Sequence, residues 1–171
     1  MKPIFTMIVL AAALSAGSAA QAADAVGVTV TGAITGTTCG IRSDRLAFNL
    51  GNVERSSLPS SGSTSPLVTE SLISSGCDAT SVKITAAGTA SPISSNLFAA
   101  EGGSFGVGIE LFVGDTGTIA TRLVPNNTTG VSVSPVANGG DYKFSARYHR
   151  VGSVLTRGDA TASITLTLDY I

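Results

Sequence analysis

The residues able to do chemistry are few and scattered. Gly102-Gly103-Ser104-Phe105-Gly106 matches the G-x-S-x-G pattern, which in hydrolases carries a nucleophilic serine on a strand-to-helix turn. Such a serine needs a histidine base, and His149 is the only histidine in the chain. The context argues against an elbow. Ala99-Ala100-Glu101 precedes the motif and a strand-like stretch at 106–113 follows it, where a helix is required. In a chain this rich in Gly and Ser the match reads as a turn, and His149, in Tyr148-His149-Arg150, reads as an exposed residue just after a strand. Glu110 and Asp115 are close in sequence, and a carboxylate pair is what glycoside hydrolysis uses. Surface acids are common, however, and a solvated turn is the favoured reading. Cys39, Cys77 and one histidine are too few for a zinc site. Neither a phosphate loop nor a dinucleotide fingerprint is present. The expectation is a protein that is not an enzyme and uses no cofactor.

The two cysteines are better explained by where the chain goes. Lys2 is the only charge in the first 23 positions, and it precedes an apolar run at 4–14 and then small residues ending in Ala20-Gln21-Ala22. This order is that of a secretory leader with an A-x-A cleavage site, and the apolar run falls short of the roughly 20 residues that span a bilayer. Residues 1–22 are therefore expected to be removed, with cleavage after Ala22 or Ala23. In an exported chain, two cysteines suggest one disulfide, against two free thiols or pairing between chains. A Cys39–Cys77 bridge would stabilise the fold by about 4 kcal/mol in a chain-entropy treatment. Without the leader, nine basic residues face eleven acidic ones, hence a net charge of −2. Nothing in that balance calls for nucleic acid.

The elements that hold these residues read as strands. Thr, Ser, Val, Gly and Ala dominate, and beyond residue 23 the apolar period is 2, not 3.6. The clearest strand ends the chain: Ala160, Ala162, Ile164, Leu166, Leu168 and Tyr170 alternate with Thr161, Ser163, Thr165, Thr167 and Asp169. This is the pattern of a strand with one face on a core and the other in water. Val26, Val28, Val30, Gly32 and Ile34 alternate likewise near the start. Further strands are expected near 46–50, 67–73, 82–87, 106–113, 120–124, 131–135 and 142–148. Many short strands in one domain point to an all-β immunoglobulin-like sandwich, with a barrel as the alternative.

Taken together, these features resemble the chaperone–usher pilins, the subunits of type 1 and P fimbriae. Tyr170 stands at the family's penultimate tyrosine, Gly158 at its glycine fourteenth from the end, and alternating apolar residues lie between. Tyr142-Lys-Phe144-Ser-Ala146-Arg-Tyr148 resembles the aromatic strand before the last hairpin. Thr31-Gly-Ala-Ile-Thr-Gly-Thr-Thr-Cys39 resembles the N-terminal extension leading to the first cysteine, and Cys77 follows at a spacing typical of the family. Phe48-Asn-Leu-Gly51-Asn-Val53 is loosely similar to the stretch after that cysteine.

The resemblance implies an incomplete immunoglobulin-like sandwich that lacks its final strand and is completed by a donor strand from another chain. It divides the chain into a leader (1–22), a donor extension (23–34) and a pilin domain (35–171). A periplasmic chaperone would first fill the groove beside the last strand, at Gly158, Ala160, Ala162, Ile164, Leu166, Leu168 and Tyr170. At an outer-membrane usher, the extension of a neighbouring subunit would replace it. Val26, Val28, Val30 and Ile34 of the extension would contribute roughly 6–12 kcal/mol on entering such a groove, before ordering costs. Gly32 breaks that face where another backbone comes close. The alternation alone fits equally well with residues 24–34 forming the first strand of a complete, monomeric sandwich. The expected product is a structural subunit of a cell-surface fimbria that supports adhesion. A minor adaptor, a terminator, or a pilin with its own glycan-binding patch are the alternatives.

Overall fold

A computed structural model describes residues 27–35, 39–76, 78–115 and 121–171. Eleven strands are present among them: β1 (Gly27–Thr35), β2 (Gly40–Ile41), β3 (Arg45–Asn49), β4 (Val68–Gly76), β5 (Val82–Gly88), β6 (Phe98–Ala99), β7 (Val107–Val113), β8 (Thr121–Leu123), β9 (Val131–Val133), β10 (Asp141–Arg150) and β11 (Ala162–Tyr170). One 3-10 turn spans Arg55–Ser57. They form two sheets, ordered β3-β1-β11-β5-β9 and β2-β4-β10-β7-β6, with β8 paired to β7. The architecture is the expected all-β sandwich, and the barrel is not formed. The two-residue strands β2 and β6 were not anticipated, since two residues carry no period to read.

The alternation in sequence becomes the core. Ala162, Ile164, Leu166 and Leu168 of β11 are buried, as are Val82, Ile84 and Ala86 of β5 and Leu46 and Phe48 of β3. They meet Ile109, Leu111 and Val113 of β7 and Tyr142, Phe144, Ala146 and Tyr148 of β10. Arg150 closes β10 at one end. It is buried without a carboxylate, and its guanidinium donates to the carbonyls of Leu58 (2.7 Å), Ser153 (2.6 Å) and Gly152 (3.1 Å). These contacts tie two loops to the strand end and satisfy the donors that burial would otherwise strand.

The first and last strands are neighbours. β1 runs parallel to β11, from Val28↔Ala162 to Thr35↔Asp169, and antiparallel to β3, from Gly27↔Asn49 to Thr31↔Arg45. A parallel pair requires a long crossover, and here the crossover is nearly the whole domain. β1 therefore lies between β3 and β11, beside the last strand, where the resemblance puts an acceptor slot. A tethered segment reaches such a slot at a higher effective concentration than a free one.

Gly158 marks the approach to β11. A Cβ there would lie 2.4 Å from both the Gly103 carbonyl carbon and the Ser104 nitrogen. Backbone that close leaves no room for a side chain. Gly158→Ala is expected to lower the unfolding free energy by about 3 kcal/mol through overpacking. Gly62→Ala has open space and only a positive φ of 91° to strain, so it should cost about 1 kcal/mol. Urea titration of both variants checks the order; equal losses would contradict it.

Candidate functional site

The slot is built on two rails. On one side, Ala160, Ala162, Ile164, Leu166 and Leu168 are buried, and Tyr170 is half-buried. On the other, Leu46, Phe48 and Leu50 are buried. Between them, the register sets Val28, Val30, Gly32 and Ile34 beside Ala162, Ile164, Leu166 and Leu168. Val26 lies outside the described residues. The last strand is fixed at its far end as well: Ile171 accepts from the Thr80 and Ser81 amides (2.7 and 3.0 Å) and donates to the Ser81 carbonyl (2.9 Å). The Tyr170 hydroxyl is buried without a hydrogen bond, and burial followed by the nearby Tyr142 pushes its pKa up.

A cavity of about 400 Å³ continues the slot beyond β1. Its lining includes Asn52, Val53, Leu58, Leu155, Gly158 and Ala160. These residues extend the two rails past the pairs Gly27↔Asn49 and Val28↔Ala162. Tyr148 also lines the cavity, and its hydroxyl donates to the Ala160 carbonyl (3.2 Å). Burial raises the pKa of this tyrosine well above its ordinary value of 10.0. The phenol therefore keeps its proton across the physiological range and holds the start of the last strand.

Ser104 lines the same cavity. It sits in the loop between β6 and β7, with a strand and not a helix after it, and its hydroxyl makes no hydrogen bond. His149 does not reach it. The histidine lies within β10, not in a turn beyond it, and its Nδ1 is 2.9 Å from Glu110 Oε1. The elbow reading thus has neither its local geometry nor its base.

Glu110 also departs from its expected place in a solvated turn. It stands in the middle of β7 with a fully buried carboxylate. Arg147 lies directly opposite on β10 and donates through Nε to Oε2 (2.5 Å). Arg122 of β8 donates through Nη2 to Oε1. Both guanidiniums lie over the Phe112 ring, at 5.7 Å for Arg122 and 5.4 Å for Arg147. Asp115 is paired instead with Lys143 (2.7 Å). Burial would raise the pKa of Glu110, but hydrogen bonds from Arg147 and His149, with the charges of Arg122 and Arg147, outweigh it and hold the carboxyl below its ordinary 4.5. The register that makes this cluster joins residues up to 39 positions apart, which no local motif reveals.

The buried Cys39 is not a free thiol, while Cys77 lies outside the described residues. Among the described residues, no group of His, Cys, Asp and Glu could hold a metal ion, and no helix is long and apolar enough to cross a membrane.

The pKa of Glu110 makes a prediction. A carboxylate depressed by folding stabilises the native state above its ordinary pKa, and that contribution is lost as pH falls through the folded value. Glu110→Gln should lower stability at pH 7 by about 1–3 kcal/mol. The gap between parent and variant should close as the pH drops below 4.5. Urea melts from pH 7 to pH 3 check this, and a gap independent of pH would contradict it.

Comparison with known proteins places this geometry. The family model described as fimbrial protein matches residues 11–171. Compared by sequence, no curated protein matches. Among solved structures, the chain resembles the P pilus rod subunit PapA, with a TM-score of 0.62 at 18% identity over 79% of this chain and 100% of that one. A chaperone–usher pilus, solved to explain the uncoiling of its rod, gives a TM-score of 0.65 at 18% identity over 80% of this chain and 92% of that one. A Burkholderia pseudomallei antigen and type I fimbria protein gives 0.52 at 22% identity over 85% and 98%.

Proposed function

The chain belongs to the fimbrial protein family, and from that premise we infer that this structural subunit of a surface fimbria is linked to its neighbours by exchange of its N-terminal strand. The observation that carries the inference is the position of β1. It lies between β3 and β11 and reaches β11 across nearly the whole length of the chain. Its two ladders are main-chain hydrogen bonds, which any strand of the right length and register can make. A second copy can therefore supply the same segment.

Several further parts belong to this reading. Residues 1–22 are a leader removed on export, with cleavage after Ala22 or Ala23. Residues 23–34, with Val26, Val28, Val30, Gly32 and Ile34, are the donor, and residues 35–171 are the acceptor domain. Before assembly, a periplasmic chaperone lends a strand to the slot beside Gly158, Ala160, Ala162, Ile164, Leu166, Leu168 and Tyr170, and an outer-membrane usher exchanges it for the donor of the next copy. A long, flat apolar edge would otherwise seed aggregation. A Cys39–Cys77 disulfide locks the base of the domain. The role is mechanical, and no catalytic step is assigned.

Two outcomes separate exchange from a closed monomer. The mature chain, purified with its cognate chaperone and run unheated on a denaturing gel, should give a ladder of multimers that collapses on boiling. The same chain without residues 23–35 keeps an acceptor slot but no donor, and should give the chaperone complex without a ladder. A ladder from the truncated chain, or an intact chain that remains monomeric and never needs a chaperone, would overturn strand exchange.

A further inference from the structure

The cavity at the end of the slot carries charge without a matching partner. Arg55, Glu54 and Arg157 line it, and all three are exposed. Among the described residues, neither arginine side chain has an ion-pair or hydrogen-bond partner, and the lining sets two positive charges against one negative. Asp159 is close by but does not line the cavity, since its Cβ packs beside Gly102. Ser104 adds a hydroxyl that is buried at the same cavity without a hydrogen bond. A buried hydroxyl ordinarily has a partner, so this one lacks an acceptor.

The register of β1 says which segment comes here. Val28 faces Ala162 on one side and Phe48 on the other. Each residue back along β1 moves one residue back along β11 and one residue onward past β3. Residues 23–26 lie outside the described residues, but the same register continued past Gly27 sets Val26 opposite Ala160 and Leu50, and Asp24 opposite Gly158 and Asn52. Ala160 and Leu50 are buried, which suits a valine. Gly158 and Asn52 line the cavity, with Arg157 next to the first and Arg55 three positions after the second. Gly158 also lies against Ser104, whose nitrogen is 2.4 Å from where a Cβ at that glycine would stand. Asp24 is the only charged side chain between Lys2 and Cys39. Leader removal after Ala22 leaves four residues ahead of β1, about 13 Å of extended chain, so the chain ends at the cavity. The α-amino group freed at Ala23 falls opposite Val53, beside Glu54, and has an acid of its own.

We propose that Asp24 pairs with Arg157 and Arg55 in this cavity, accepts from the Ser104 hydroxyl, and so latches the closed chain against release of β1. The latch rests on the strand-exchange reading, to which it adds a control. It forms only while the strand runs parallel to β11, because a strand entering in the opposite direction carries Asp24 away from both arginines. Release of β1 therefore begins with loss of this pair. Both arginines are exposed, so the pair changes the release rate by a modest factor and is screened by salt.

The test uses the chain starting at Ala23, folded at high dilution as a closed monomer. Excess labelled peptide of residues 24–35 traps the slot each time β1 leaves, and the trapping rate reads the release. Asp24→Asn should speed trapping about threefold. In a chain that already carries Arg55→Gln and Arg157→Gln, the same substitution should add nothing. Sodium chloride at about 1 M should bring the parent close to the rate of the Asp24→Asn chain. Asp159→Asn should keep the parent rate. Two results would overturn the latch: an Asp24→Asn chain that releases β1 as slowly as the parent, or a gain that survives the loss of both arginines. Should no chain take up the peptide, strand exchange itself fails, and the latch is read from arginine Nε resonances in the closed monomer. Those of Arg55 and Arg157 should move on Asp24→Asn, and unmoved signals would overturn the latch independently of exchange.

Discussion

The fold depends on pairing the two strand edges that face each other across the slot. β3 and β11 both turn buried apolar residues toward the core, and between them runs a strip of main-chain donors and acceptors that water cannot serve inside a sandwich. A strand must lie there. In the single chain that strand is β1, parallel to the last strand and antiparallel to β3. The requirement specifies a backbone of a certain length and register, and says nothing about which molecule provides it. On the proposed reading, closure within one chain and linkage between chains are two solutions to one requirement, with the same ladder made in each and effective concentration favouring the first.

The opposite sheet faces a different constraint. Its outer surface holds a carboxylate that could not remain charged without its three partners, and two of those partners rest on Phe112. This arrangement adds charge pairing to the ladder and the buried Leu123 that already hold the short β8 to β7.

Much of the architecture was legible in the sequence, for a physical reason. A half-buried strand must alternate, and β11, β10 and β3 do, so their core faces follow from the residues alone, while their ends differ by one or two residues, as at His149, which β10 includes. Gly158 was legible only through resemblance. Its reason, the backbone of Gly103 and Ser104 pressed against it, is a contact between distant loops. The Glu110 cluster was missed because strand register creates it. Arg147 lies 37 positions away and meets Glu110 only once β7 and β10 are paired. One signal was available: an acid at the centre of the apolar run Val107–Val113 has no place in a buried strand unless something neutralises it. The destination of the N-terminal segment was not legible at all, since alternation is the same in either slot.

The central claim is that β1 is a replaceable strand whose absence leaves the sandwich incomplete. The most direct measurement is thermal melting of the mature chain without residues 23–35, alone and with a synthetic peptide of residues 24–35. The account predicts no cooperative melt for the truncated chain alone, and recovery of a single sharp transition when the peptide is added. A truncated chain that melts at the temperature of the intact one and ignores the peptide would contradict it.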